Sequence, residues 1–202
     1  MGIQKTPIPQ HWNYFLSLEE DVSRLSRYVE FTEENFDTYS LELARILFSA
    51  ASEIDVVAKR LCNQINGKSK AERITDYRKI ICSAFPLLAN TNASIPRFGL
   101  NLTPWEEWQK DSNPFWWKAY TNVKHHRDTN FPDASLKNAL NSVAALFILL
   151  IFFYREESRN ARLTPDPTLF QIGAPFTIDY PAFGPRAIFY QLQNDPPEEW
   201  PK

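Results

Sequence analysis

A chain of 202 residues with a formal charge of −2 and a sequence pI near 6.0 is long enough to bury one sizeable core, and it lacks the strongly basic balance of a protein that coats nucleic acid without specificity. Any contact with RNA or DNA is therefore expected to be local. With five glycines in all, no glycine-rich phosphate loop and no GxSxG elbow, P-loop or Rossmann nucleotide sites and serine-nucleophile chemistry find no support.

The opening MGIQKTPIPQHW holds no apolar run, so no secretory signal is expected there. Trp12 to Phe31 (WNYFLSLEEDVSRLSRYVEF) mixes polar and apolar faces and predicts an amphipathic helix. In Ser40 to Ile65 the residues Leu43, Leu47, Ala50, Ile54, Val57 and Leu61 recur at alternating steps of four and three, one stripe of a helix. Ser40 is a fitting N-cap, and Asn66-Gly67 a stop. Lys70 to Phe85 predicts a third helix. Ala93 to Trp108 is broken by Pro96 and Pro104 and reads as extended chain with room for a short hairpin. Pro114 to His125 predicts a fourth helix, proline suiting its first turn.

Ala134 to Arg155 repeats the helical rhythm with Leu136, Leu140, Val143, Phe147, Leu150 and Tyr154, and Asp133 is the expected cap. Its run Val143 to Tyr154 is apolar on nearly all sides for 12 residues, short of the roughly 18 to 20 that a membrane span needs. A buried central helix is expected, with no membrane. Cys62 and Cys82 lie inside apolar helical patterns rather than in a CxxC pair, which predicts reduced packing thiols and a cytoplasmic setting.

After Arg162 the pattern changes. Eight of the 15 prolines fall there, and short β-prone runs (TLFQI, FTIDY, AIFYQL) replace helical periods. Phe170, Phe176, Tyr180, Phe183, Phe189, Tyr190 and Trp200 make this segment too apolar for a free linker. Residues 1–161 are thus expected to form the helical part, and 162–202 an extended tail that packs on the bundle or on a partner.

The chemistry concentrates in Tyr120 to Asp128, YTNVKHHRD, where two of the three histidines stand between a lysine and an arginine. Cations at a helix C-terminus also stabilise the helix dipole, by up to about 1 kcal/mol. Trp116 and Trp117 offer either stacking surfaces for bases or, more simply, a core ring beside a contact ring.

A helix of the type SAASEIDVVAKRL, then Asn122-Val123-Lys124-His125-His126, then ASLKNALNSVAALFILLIFFY together resemble the HEPN superfamily (higher eukaryotes and prokaryotes nucleotide-binding) over about residues 40–155. The resemblance implies an all-α bundle of four to five helices, often dimeric. In active members it implies a metal-independent endoribonuclease of the kind found among bacterial and phage toxins and defence proteins. Carried over, the motif asparagine falls on Asn122 and its histidine on His126, while the motif arginine falls on Thr121. The phosphate-binding cation must then come from Lys118, Lys124 or Arg127.

RNA cleavage by its own 2′-hydroxyl needs a base, an acid and a cation, and imidazole suits the first two. His126, Asn122, His125 and Arg127 are the expected catalytic residues, with Lys118 and Lys124 binding substrate. Glu53 or Asp55 is expected either to orient His126 or Arg127, if the helices pack side by side, or to hold the bundle through an ordinary salt bridge. No metal or cofactor is implied. The expected partners are RNA, a second copy of the chain, and an inhibitory or effector protein; the alternative is a catalytically inactive protein-interaction domain.

Overall fold

A computed structural model describes residues 9–179 and 188–192. In chain order these form α1 (Gln10–Leu25), α2 (Leu41–Ile65), α3 (Ile74–Ala84), β1 (Ala93–Ile95), β2 (Leu100–Leu102), α4 (Phe115–His125), α5 (Arg127–Asn130), α6 (Leu136–Phe153), α7 (Arg155–Arg159), β3 (Gln171–Ile172), β4 (Phe176–Asp179) and β5 (Phe189–Leu192). Five longer helices make a bundle, so the helical expectation holds, with short strands added. Residues 1–8, Tyr180, Phe183 and Trp200, on which some expectations rest, lie outside the described residues.

The two apolar stripes form the centre. The stripe of α2 is buried from Leu43 to Leu61, and α2 makes its broadest contact with α6. Ser40 caps α2, its Oγ accepting from Leu43 N–H at 3.1 Å. The cap of α6 is Ser135 rather than Asp133, because Phe131 to Asp133 form a 3₁₀ turn that delays the helix. With 18 residues of mean hydropathy 1.9, α6 is long and apolar enough to cross a membrane by length and composition, yet 89% of it is buried by the rest of the fold.

Neighbouring contacts fix the directions. Tyr39 bridges to Ser135 just before α2 and α6 begin, and Arg60 lies over the Phe153 ring near their ends, so the two helices run parallel. α1 runs against α2: His11 meets Glu53, and Asp21 pairs with Arg45 at 2.8 Å. α4 also runs against it, with Tyr120 edge-on to Phe48 and Val123 packed with Ala44 and Ala134. The molecule therefore has two ends of different character: α4 finishes where α2 starts, and α1 starts where α2 finishes.

Local chemistry explains the altered boundaries. α1 stops at Leu25 because a turn from Ser26 carries Phe31 back into the core. In α3 the Asp76 carboxylate accepts from Glu72 and Arg73 N–H at 3.3 and 3.2 Å, which sets the helix start after Arg73 rather than at Lys70. β1 and β2 form the expected hairpin, with Gly99 at φ 65° in its left-handed turn.

The tail packs on its own bundle. Glu19, 3% exposed on α1, accepts from the backbone N–H groups of Thr168, Leu169 and Phe170 at 3.0, 2.9 and 2.9 Å. Phe170 sits against Phe15 and Phe147, and Trp12 Nε1 donates to Pro165 O at 3.0 Å. β3 then adds antiparallel to β1, and β4 pairs with β5. These strands fall in the three β-prone runs.

Candidate functional site

His126 is the junction between α4 and α5, at φ −140° and ψ 50°. Its backbone does the joining: the N–H donates to Asn122 O at 2.8 Å, and the carbonyl accepts from Asn130 N–H at 2.9 Å. Both imidazoles, His125 and His126, are exposed with ring centroids 6.5 Å apart and tilted by 56°. Neither ring meets a carboxylate within ion-pair distance among the described residues.

Around them the predicted cations are gathered but individually shelved. Lys124 Nζ donates to Tyr120 Oη at 3.2 Å and lies over the same ring, and the Arg127 guanidinium lies 5.1 Å from the Phe131 ring centre. Asn122 Nδ2 donates to Asp133 Oδ2 at 2.8 Å, tying α4 to the turn before α6. The Thr121 hydroxyl donates back to Trp117 O at 2.9 Å, so it is spent on its own helix. Lys118 lines an open groove of about 470 Å³ with Asn122, Asp133 and Lys137. Beside it Glu107 is held above the ordinary carboxylate range chiefly by burial, with the Lys118 charge a smaller opposing effect.

Trp116 is fully buried and donates to Pro104 O at 2.7 Å, whereas Trp117 is half-buried and stands edge-on to Trp116 and Tyr120. The first is a core ring.

Compared with family models, curated proteins and solved structures, the chain matches none. Its site must be read from its own geometry.

That geometry corrects the two supporting carboxylates. Glu53 lies nine residues beyond Ala44 on α2, about 13 Å further along the axis than the level where α4 ends. It cannot orient His126 or Arg127. Instead its Oε1 meets His11 Nδ1 at 2.5 Å. Asp55 likewise serves elsewhere, accepting from Tyr77 Oη at 2.7 Å and Lys59 Nζ at 2.6 Å. Burial first, and Asp55 second, raise the Tyr77 hydroxyl well above its usual range.

The third histidine was not singled out by the sequence. His11, 8% exposed, sits between Glu53 and Arg60, with Arg60 Nη1 2.7 Å from its Nε2. A guanidinium only donates, so Nε2 accepts and Nδ1 carries the hydrogen given to Glu53. Its backbone N–H donates to Tyr154 Oη at 3.4 Å, and its ring is edge-on to Phe153. The seven-residue spacing of Glu53 and Arg60 on one face of α2 was the only trace of this cluster in the sequence.

Proposed function

We propose that the chain is a HEPN-like RNA-binding domain that grips phosphates at the α4–α5 turn and cleaves them without a metal, using His126 from each of two copies. The observation that carries this reading is the turn itself. Lys124, His125, His126 and Arg127 all reach solvent at the turn, Lys118 lines an open groove two helical turns earlier on α4, and among the described residues none of the five is in an ion pair. Cations left unneutralised on one short turn fit the phosphate backbone of a single strand.

In the reaction one histidine takes the 2′-hydroxyl proton, and the 2′-oxygen attacks the adjacent phosphorus. The second histidine returns a proton to the departing 5′-oxygen, leaving a 2′,3′-cyclic phosphate and a 5′-hydroxyl. Because Thr121 has spent its hydroxyl on Trp117, the phosphorane charge falls to Lys118, Lys124 and Arg127. Asn122, anchored by Asp133, holds the end of α4 in place.

A second reading is favoured by Tyr39 and Leu41, 50% and 67% exposed, of which Tyr39 lines the groove and stands edge-on to Phe131. An apolar edge there suits a protein partner, and the domain is then a catalytically inactive interaction module. One experiment separates the two. Purified protein and its His126→Ala variant are incubated with labelled single-stranded RNA in EDTA. Cleavage by the parent alone, ending in cyclic phosphate, supports the nuclease; equal silence from both, with no RNA binding, leaves the interaction module.

A further inference from the structure

A cavity of about 520 Å³ opens at the opposite end of the bundle from the α4–α5 turn. Its walls include Gln10, Arg60, Gln64, Tyr154, Arg155 and the acidic pair Glu156 and Glu157, and His11 lies behind Arg60. This volume falls within the range of about 300 to 1,000 Å³ typical of small-molecule sites.

Glu53 and Arg60 stand two turns, about 10.5 Å, apart on one face of α2, beyond the three- or four-residue spacing at which helix neighbours pair directly. The imidazole of His11 is placed between them instead, at 2.5 Å from one and 2.7 Å from the other. Among the described residues no carboxylate lies within 4.0 Å of Arg60. Its guanidinium is steadied from behind by His11 and the Phe153 ring, 5.5 Å to the ring centre, with only one donor committed to His11. The remaining donors suit the fork of a phosphate or carboxylate. Arg155, whose guanidinium lies over the Phe85 ring, lines the same cavity.

Glu156 and Glu157 define what else is recognised. Two carboxylates in the cavity wall accept hydrogen bonds from hydroxyl groups. The Tyr154 hydroxyl, whose pKa is raised mainly by burial, adds a neutral donor.

We propose that this cavity binds a small phosphate monoester bearing hydroxyl groups, of ribose-phosphate size, with its phosphoryl group on Arg60 and its hydroxyls on Glu156 and Glu157. Occupancy draws Arg60 toward the phosphoryl group and away from His11 Nε2. The imidazole, still held through Nδ1 by Glu53, then presents an accepting nitrogen to the cavity. Arg60 is thus the element that reports ligand binding to His11.

The test uses nitrogen-15 spectra of the three imidazoles in the full chain. Ribose 5-phosphate is titrated to millimolar concentration, with ribose and inorganic phosphate as comparisons. The expected result is a saturable shift of the His11 ring, its Nε2 most of all, with His125 and His126 unmoved and ribose without effect. Arg60→Gln is expected to weaken binding at least about tenfold, the loss of a charge-assisted contact, and Arg60→Lys less. No His11 shift in the parent protein overturns the proposal, as does an equal shift of all three rings. Full binding by inorganic phosphate at the same affinity removes the hydroxyl contacts from it. Because the deciding titration uses the parent protein, a poorly folded variant does not blur the outcome. The RNA reading concerns the other end of the bundle and stands or falls separately.

Discussion

The two ends of the bundle treat histidine in opposite ways. At the α4–α5 turn His125 and His126 are adjacent in sequence, surrounded by cations, and exposed with no side-chain acid to hold them. At the far end His11 has no charged neighbour on either side in sequence, yet it is buried between a carboxylate and a guanidinium supplied by another helix. Ala44, level with the end of α4, and Arg60 are sixteen residues apart on α2, about 24 Å by helical rise. Clustering along the chain and enclosure in space are therefore separate properties. A turn dense in polar residues is cheap to place at the surface, whereas a buried polar group persists only where several elements satisfy it.

The contrast predicts where substitutions hurt. The largest effect is expected from Glu19→Ala on α1, which strands the N–H groups of Thr168, Leu169 and Phe170 and should cost about 3 kcal/mol or more in urea unfolding. Next is Glu53→Ala, which leaves the His11 Nδ1–H buried without its acceptor, at about 2 kcal/mol; Glu53→Gln, which keeps an acceptor, should cost less. A loss as small as that of a surface change would mean that the His11 cluster is not held as described.

Function should divide the other way. If the turn binds RNA, Lys124→Gln or Arg127→Gln lowers affinity for all sequences and reduces the slope of log affinity against log salt by about 1. Arg60→Gln should leave that slope unchanged, as measured by fluorescence anisotropy. A change with Arg60 would join the two ends that the geometry separates.

Alkali offers a test of the interior on the His11 side. Burial pushes the Cys62 thiol up to about 12 and the Cys82 thiol up to about 11, from an ordinary 9.0. The unfolded chain thus gives up these protons first, and the thiols' contribution to stability, complete below about pH 9, drains away as pH rises toward 12. Tyr77, also raised, acts in the same direction. The urea midpoint is expected to fall across that window, and a flat profile would contradict it. The smallest effect is reserved for His125→Ala and His126→Ala, within about 0.5 kcal/mol, because the junction at His126 is made by backbone groups that alanine keeps.

Much of the fold was legible because it depends on local periodicity. The stripe of α2, the Ser40 cap, the apolar run of α6, the hairpin and the three β-prone tail runs each follow from spacing that a single segment carries. Where boundaries moved, a short-range competitor won: the Asp76 capping bonds shortened α3, and the 3₁₀ turn at Phe131 passed the cap of α6 from Asp133 to Ser135. At the site, the exposure of the cations at the end of α4 follows from their density on one turn. The assignment of Glu53 and Asp55 to that site did not survive, because it depended on how far along α2 the end of α4 would fall.

By itself, then, the sequence determined the five longer helices, the central apolar pair, the β character of the tail and the charged turn at Tyr120 to Asp128, since each is written in residues a few positions apart. Only the tertiary structure decided that α2 and α6 run parallel, that Glu19 clamps the tail onto its own bundle, and that His11, Glu53, Arg60 and Tyr154 meet beside a cavity. Those contacts join residues 42 to 151 positions apart. Their partners are chosen by helix direction and packing, which no single stretch of the chain encodes.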